Sequence, residues 1–269
     1  MATVETNGIQ LYYEEHGEGE PLLLIMGWGG NAATWAPQLP GLSEHFRVIA
    51  FDNRGSGRSS APDEPYSTVQ MAEDTVGLLD ALDVPRAHVF GISMGGMIAQ
   101  ELALAHPERV NALVLGCTSA GGPRAAGFAG LRREIQSFRA TNGEGPDLEW
   151  FGEFMKTLWT DEALARSAPS VQDFVLSFIR YPPALHGMKH QAGAIATHDA
   201  HDRLSEIAHR VLVITGDKDR LVHPWNSHTL ANRIPNAKLH VFTGLLHAFH
   251  LERADAVNSR IIDFIYRAA

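Results

Sequence analysis

The sequence contains a single cysteine, Cys117, which leaves no partner for an intrachain disulfide and no sign of an oxidising compartment. It also lacks a long apolar run. The longest, at residues 22–28, is far short of the ~20 residues that a membrane-spanning helix needs. Residues 1–11 contain neither a basic stretch nor an apolar segment, so we expect no signal peptide. Together these absences predict a cytoplasmic location.

Positive charge is also scarce, since 22 Lys and Arg residues stand against 31 Asp and Glu residues and give a formal net charge of −9. A chain of this charge is repelled by nucleic-acid phosphates and by anionic lipid surfaces. We therefore expect neither a nucleic-acid partner nor a membrane partner. The apolar fraction of 45% and the charged fraction of 20% are ordinary for a globular protein with a packed core. A chain of 269 residues fits one large domain or a domain that carries an insertion.

Short apolar runs alternate with helical patterns along most of the chain. This alternation is typical of βαβ units and predicts an α/β fold with a mostly parallel central sheet flanked by helices. The first strands are predicted to be antiparallel. Strands are predicted at 8–15, 21–26, 46–51, 87–90, 112–115, 211–215 and 238–242, and helices at 68–82, 95–106 and 254–267.

The alternation stops in the middle of the chain. Between Ser119 and Ser205 no strand-like run appears, and a Gly/Pro-rich stretch at 120–130 gives way to helical patterns at 147–159 and 169–179. We therefore predict a core formed by residues 1–118 and 206–269, with an all-helical cap inserted at 119–205.

Residues 91–95, Gly-Ile-Ser-Met-Gly, match the pattern G-x-S-x-G between a predicted strand and a predicted helix. Glycines suit a turn at which the chain approaches itself closely. The positive end of the following helix would favour an oxyanion forming beside Ser93. The pattern predicts that Ser93 is a nucleophile, although a glycine-rich turn with an incidental serine would carry the same five residues.

A serine hydroxyl is a weak nucleophile and needs a histidine base oriented by a carboxylate. Asp217 and Asp219 directly follow the strand at 211–215, and His247 follows the strand at 238–242. Since the carboxyl ends of parallel strands meet at one edge of the sheet, these side chains are expected near Ser93. The spacing alone leaves the choice between the two aspartates open.

With these motifs the chain resembles the α/β-hydrolase family over essentially its whole length. The resemblance rests on DNRGSGRS at 52–59, GISMGG at 91–96, G-x-x-D at 216–219 and G-x-x-H at 244–247. It implies a catalytic triad of Ser93, Asp219 and His247, in which His250 is not the base. We expect the 52–59 turn to be structural, with charged side chains that tie loops together.

The resemblance also implies an oxyanion hole, for which two N–H donors are needed. These would be the backbone amides of Met94 and Trp28, and both residues are predicted to contact substrate. Trp28 lies in the segment Met26-Gly27-Trp28, where the family commonly has H-G-x. Met26 replaces the usual histidine, so side-chain hydrogen bonds from that position are lost. The Trp28 ring is expected either to line the acyl pocket or to pack in the core.

No metal or cofactor is predicted. His186 and His190, and likewise His198 and His201, have a spacing that could place both members on one helix face. No third ligand pattern such as H-E-x-x-H accompanies them. The glycines at 27–30 lack the Lys-Ser/Thr of a phosphate-binding loop.

The implied activity is hydrolysis of small to medium apolar carboxylic esters or lactones, by a monomer or homodimer. Carbon–carbon bond hydrolases and cofactor-free haloperoxidases or perhydrolases use the same triad, and motifs do not separate these activities. A ligand-sensing receptor with slow turnover is an alternative of another class. The cap is predicted to roof the site with aromatic side chains drawn from Trp150, Phe151, Phe154, Trp159, Phe174, Phe178 and Tyr181.

Overall fold

The computed structural model describes residues 2–126, 140–141, 145–146 and 148–266. Its centre is an eight-stranded sheet in the order β1-β2-β4-β3-β5-β6-β9-β10. These strands are β1 Ala2–Thr6, β2 Ile9–His16, β3 Glu20–Ile25, β4 Phe46–Phe51, β5 Ala87–Ile92, β6 Val110–Gly116, β9 Arg210–Gly216 and β10 Ala237–Phe242. The mostly parallel α/β sheet that the sequence predicts is confirmed.

The antiparallel part of the sheet is confined to β1 and β2. The expectation for the first strands is therefore corrected at β3, which runs parallel to both β4 and β5. The sequence patterns do not predict β1. It joins β2 through Asn7 and Gly8, whose φ angles of 47° and 74° are those of a two-residue hairpin turn.

Helices cover both faces of the sheet: α1 Leu39–Ser43, α2 Thr68–Ala81, α3 Met94–Ala105, α8 Trp225–Arg233, α9 Phe249–Glu252 and α10 Ala254–Tyr266. The helices predicted at 68–82 and 95–106 correspond to α2 and α3. The one predicted at 254–267 corresponds to α10, and Arg267 lies outside the described residues. No described helix combines the length and the apolar content needed to cross a bilayer.

Two hydrophobic cores sandwich the sheet, and alternate residues of β3 point into each. Leu22 and Leu24 belong to the core under α1 and α10, whereas Leu23 and Ile25 belong to the core under α2 and α3. Since strand side chains alternate between faces, a strand buried on both sides reads as a continuous apolar run. This is the physical reason that 21–26 is recognisable in the sequence.

The chain between β6 and β9 leaves the sheet, and we call it the insertion. Its helices are α4 Leu148–Leu158, α5 Asp161–Ala165, α6 Pro169–Arg180 and α7 Leu185–Thr197. It also contains a short antiparallel pair, β7 Ala140–Thr141 with β8 Gly145–Pro146, so it is not wholly helical as the sequence predicts. Two-residue strands are too short to produce an alternating pattern. Residues 127–139, 142–144 and 147, which include part of the Gly/Pro-rich stretch, lie outside the described residues.

Candidate functional site

Ser93 occupies the sharp turn between β5 and α3, with φ 55° and ψ −120°. A side chain on Gly91 would collide with the carbonyl oxygen of Gly95, and one on Gly95 with the carbonyl oxygen of Ile25. The two glycines therefore allow the strained backbone that carries the serine. The Ser93 amide donates to the carbonyl of Gly116, across 2.9 Å, which fixes the turn against β6.

The two candidate acids have different partners. Asp219 Oδ2 accepts a hydrogen bond from His247 Nδ1 across 2.7 Å, while its Oδ1 accepts from the amides of Leu221 and Val222 at 2.9 Å each. Asp217 Oδ1 instead accepts from the amide of Gly244 across 2.6 Å. Asp219 thus contacts the histidine directly, whereas Asp217 anchors the loop that leads to it.

The protonation of His247 is governed by two opposing effects. Burial is the largest single effect and lowers the pKa because it disfavours the charged imidazolium, but Asp219 and Cys117 both favour that charge and together outweigh burial. The pKa of His247 is therefore raised well above its ordinary value. An imidazole of this kind holds a proton more readily than a free histidine.

The loop after β3 lies in close contact with Ser93. A Cβ on Gly27 would lie 3.0 Å from the Cβ of Ser93, so glycine permits this approach. The next residue, Trp28, lines the same cavity as Ser93. Met94, directly after the nucleophile, begins α3. The two residues to which the resemblance assigns an oxyanion hole thus lie in the loop that contacts Ser93 and at the start of the helix that follows it.

The 52–59 turn supports this loop through hydrogen bonds. Asn53 Nδ2 donates to the carbonyl of Met26 across 2.9 Å, and Asp52 Oδ1 accepts from the amide of Ala32 across 2.6 Å. The other oxygen of Asp52 accepts from the Arg58 amide and side chain. The prediction that this turn ties loops together is confirmed.

A cavity of about 50 Å³ opens onto Ser93 and His247. The Trp28 ring lines it and is fixed by a 2.8 Å hydrogen bond from Nε1 to the carbonyl of Met188. The side chain of Met94, in contrast, is packed in the core. The described lining residues are Met26, Gly27, Trp28, Gly30, Thr34, Ile92, Ser93, Phe154, Leu158, Phe174, Phe178, Leu221, His247, Ala248, His250 and Leu251. None of them is an acidic residue, a lysine or an arginine.

The aromatic residues of the insertion divide between cavity and packing. Phe154, Phe174 and Phe178 line the cavity. Trp159 is fully buried in the core, and the Tyr181 ring lies 3.9 Å from the guanidinium carbon of Arg58. Three of the predicted rings therefore line the cavity that opens onto Ser93, and others pack within the protein.

The side chains of three of the four histidines in the two predicted pairs have hydrogen-bond partners. His186 Nε2 bonds to the carbonyl of Ala61 at 2.7 Å, His190 Nε2 to Asp63 at 2.8 Å, and His198 Nδ1 to the hydroxyl of Thr68 at 3.0 Å. These contacts join the insertion to the core.

Cys117 is a site residue that the motifs do not reveal. It directly follows β6 and is buried, and its sulfur lies within 4.8 Å of ligand atoms of Asp219 and His247. No other group among the described residues has ligand atoms spaced to share a metal ion, and a metal here would compete with the Asp219–His247 hydrogen bond. Burial raises the pKa of the thiol, which favours the neutral form. Its position at a strand end on the catalytic edge is the signal that could have revealed it.

Comparisons with known proteins identify the family to which the chain belongs. A family model for the alpha/beta hydrolase fold matches residues 20–254. A proposed carbamate hydrolase, RutD, from Azorhizobium caulinodans is 34% identical over 256 residues, covering 94% of each chain. The enol-lactonase from Burkholderia xenovorans LB400 is similar in structure, with a TM-score of 0.88 at 28% identity over 99% of this chain and all of that one. A hydrolase from Pseudomonas aeruginosa PA01 is also similar in structure, with a TM-score of 0.86 at 30% identity over 99% of this chain and 98% of that one. The chain therefore belongs to the α/β-hydrolase family, with hydrolases among its relatives.

Proposed function

We propose that the protein is a serine hydrolase that cleaves small to medium, uncharged carboxylic esters or lactones through an acyl-enzyme. One observation carries the proposal. Ser93, on its strained turn, lines the same cavity as His247, and His247 is hydrogen-bonded to the buried carboxylate of Asp219. A nucleophile, a base and an orienting acid are the groups that acyl transfer through a serine requires.

In the proposed mechanism, His247 donates its Nδ1 proton to the hydrogen bond with Asp219, which leaves Nε2 as the basic nitrogen. Nε2 takes the proton of Ser93 as Oγ attacks the carbonyl carbon. The amides of Trp28 and Met94 stabilise the oxyanion that forms. His247 then returns the proton to the departing alcohol. A water molecule that the same nitrogen deprotonates attacks the acyl carbon, and the proton passes from Nε2 to Ser93 Oγ as the acyl–serine bond breaks and the acid is released.

The cavity supports the choice of substrate. Its described lining is apolar apart from a few hydroxyl, imidazole and indole groups and carries no carboxylate, lysine or arginine side chain. In the reactive state, in which His247 is neutral, a charged acyl group would lose its hydration there without gaining a counter-ion. An apolar, roofed cavity instead suits a neutral acyl group and keeps bulk water away from the oxyanion.

Carbamate hydrolysis is the second candidate. The observation in its favour is the activity proposed for the RutD relatives that match along almost the whole chain. A carbamate has a carbonyl that Ser93 could attack in the same way, and it is neutral when esterified. The chemistry of the triad therefore does not decide between the two substrates.

The test is a panel of 4-nitrophenyl esters of increasing length, several lactones and aryl carbamates, assayed with wild-type protein and with Ser93→Ala. Ester or lactone turnover should continue after an acyl burst, and Ser93→Ala should lose activity by a factor on the order of 10⁶. Ser259→Ala, on the exposed face of α10, is the matched control.

Three results would change the proposal. A Ser93→Ala variant with a tenth of the activity would remove Ser93 from the nucleophile position. A burst without recycling would favour a receptor. Turnover of carbamates alone would favour the second candidate.

A further inference from the structure

His250 lines the catalytic cavity, yet the proposed mechanism does not use it. It lies in α9, three residues after His247, and is 3% exposed. Neither of its ring nitrogens makes a well-aligned hydrogen bond among the described residues, and the polar contact that the ring does have is with the backbone of His247, three residues earlier. Buried polar side chains nearly always have a partner, so an unpartnered imidazole in a cavity wall calls for a functional explanation.

Contacts with neighbouring residues fix the position of the His250 ring. The rings of Trp35 and Phe249 contact it edge-on, with centroids 5.7 Å away in each case. The backbone carbonyl of His250 accepts a hydrogen bond from Gln38 Nε2 across 2.6 Å. The imidazole is thus a fixed polar group in a mostly apolar wall, and such a group can orient a ligand.

His250 is neutral under ordinary conditions. Burial disfavours its charged form, and the positive charge on nearby His247 adds to this effect, so that its pKa is lowered to about 3. A neutral imidazole offers one N–H donor and one acceptor nitrogen. It therefore suits a neutral polar group rather than a carboxylate or an ammonium group.

We propose that His250 determines specificity by forming a hydrogen bond to a neutral oxygen of the substrate, such as an ether, hydroxyl or second carbonyl oxygen. This inference rests on the proposed hydrolase function and narrows its substrate class. The preferred ester or lactone carries such an oxygen a few bonds from the scissile carbonyl. An all-carbon substrate of the same shape leaves the imidazole buried without a partner, so that this substrate binds less tightly than the one with the oxygen.

The experiment compares esters that differ by one atom. In the acyl pair, 4-nitrophenyl methoxyacetate is set against 4-nitrophenyl butanoate. In the alcohol pair, 2-methoxyethyl butanoate is set against butyl butanoate. Each kcat/KM is divided by the rate constant for hydroxide-catalysed hydrolysis of the same ester, which removes differences in intrinsic reactivity.

In at least one pair the wild type should favour the ether about three- to tenfold, as expected for one neutral hydrogen bond. His250→Phe should bring that ratio close to one, and because the two esters of a pair are compared within the same variant, any change in activity common to both cancels. His250→Gln, which keeps a donor and an acceptor, should retain part of the preference. His228→Phe, at an exposed position on α8, is the control.

A wild-type ratio of one in both pairs, or an unchanged ratio in His250→Phe, would overturn the proposal. If His250→Phe does not fold, as judged by thermal unfolding, His250→Gln serves as the test instead. A preference for the ether that is smaller than in the wild type supports the proposal, and an unchanged preference overturns it.

Failure of the hydrolase function itself is recognised separately. Calorimetry gives the Kd of each intact ester for Ser93→Ala and for Ser93→Ala combined with His250→Phe. If wild-type protein hydrolyses none of the esters, a preference for the ether in Kd that disappears in the double variant still supports the role of His250. Equal Kd values for ether and alkyl esters would overturn it.

Discussion

The side-chain oxygen of Gln191 accepts a hydrogen bond from the backbone amide of Gly29 across 2.9 Å, which joins the insertion to the loop beside Ser93. The amide nitrogen of the same side chain donates to the carbonyl of Arg54 at 2.7 Å and to the hydroxyl of Ser56 at 2.9 Å. Gln191 is fully buried. A single residue of α7 thus links the proposed oxyanion loop, the 52–59 turn and the roof of the cavity.

We expect Gln191→Leu to lower kcat by about tenfold, because the loop that carries the Trp28 amide loses its support and oxyanion donors are sensitive to small displacements. The free energy of unfolding should fall by about 1–3 kcal/mol, since buried groups on Gly29 and Arg54 lose their partner. Steady-state kinetics and denaturant unfolding measure the two effects. Gln172→Leu, at an exposed position on α6, is the control. An unchanged kcat with lowered stability would make Gln191 purely structural.

Asp219→Asn should lower kcat by a factor on the order of 10⁴, because an amide sets the wrong tautomer of His247 and does not stabilise the imidazolium. Asp217→Asn should lower kcat by less than about tenfold, since the side-chain oxygen of asparagine can still accept the hydrogen bond from the Gly244 amide. The two variants are matched in chemistry and lie two residues apart. A larger loss in Asp217→Asn would reassign the acid.

The pH dependence of kcat/KM should follow His247. The base must be neutral to accept the serine proton, and its pKa is raised, so activity should rise with pH through a value above the ordinary histidine value of about 6.5. Asp219→Asn removes the charge that raises the pKa of His247, so in this variant kcat/KM should rise at lower pH than in the wild type. If the rise occurs at the same pH in both proteins, another group controls the profile.

Short acyl chains should be preferred over long ones. The cavity at Ser93 is small, and the side chains of Phe154, Phe174 and Phe178 line it and limit the room for a long acyl chain. The values of kcat/KM for 4-nitrophenyl esters from two to sixteen acyl carbons should therefore reach a maximum at short to medium length and then fall. Emulsified long-chain substrate should give no jump in rate. A steady rise through long chains would indicate a lipase with a mobile lid.

The site residues that can be predicted from the sequence lie in short motifs or directly after apolar strands. Gly91 and Gly95 are needed wherever a serine sits on such a turn, so the elbow can be found from five residues. Asp219 and His247 each follow an apolar strand, and parallel strands bring their carboxyl ends together. The sheet itself is predictable because strands buried on both faces are apolar throughout.

The remaining site residues depend on contacts between distant segments. Gln191 is 162 residues from Gly29, and nothing near Gln191 in the sequence marks it as different from other polar helix residues. His250 is visible in the sequence, but its missing partners depend on the surrounding packing. The hairpin at Asn7 and Gly8 does have a local signal, since asparagine followed by glycine favours such turns. There the prediction failed because β1 has no buried residue and little apolar pattern.

Cys117 has a practical consequence for studies of motion in this protein. It supplies the chain's single thiol, and that thiol is buried beside His247. A reagent that modifies thiols can reach it only when the surrounding structure opens, so the modification rate reports how often the catalytic edge of the sheet is exposed to solvent. The native protein therefore contains its own single-site probe of active-site opening, and no label has to be introduced.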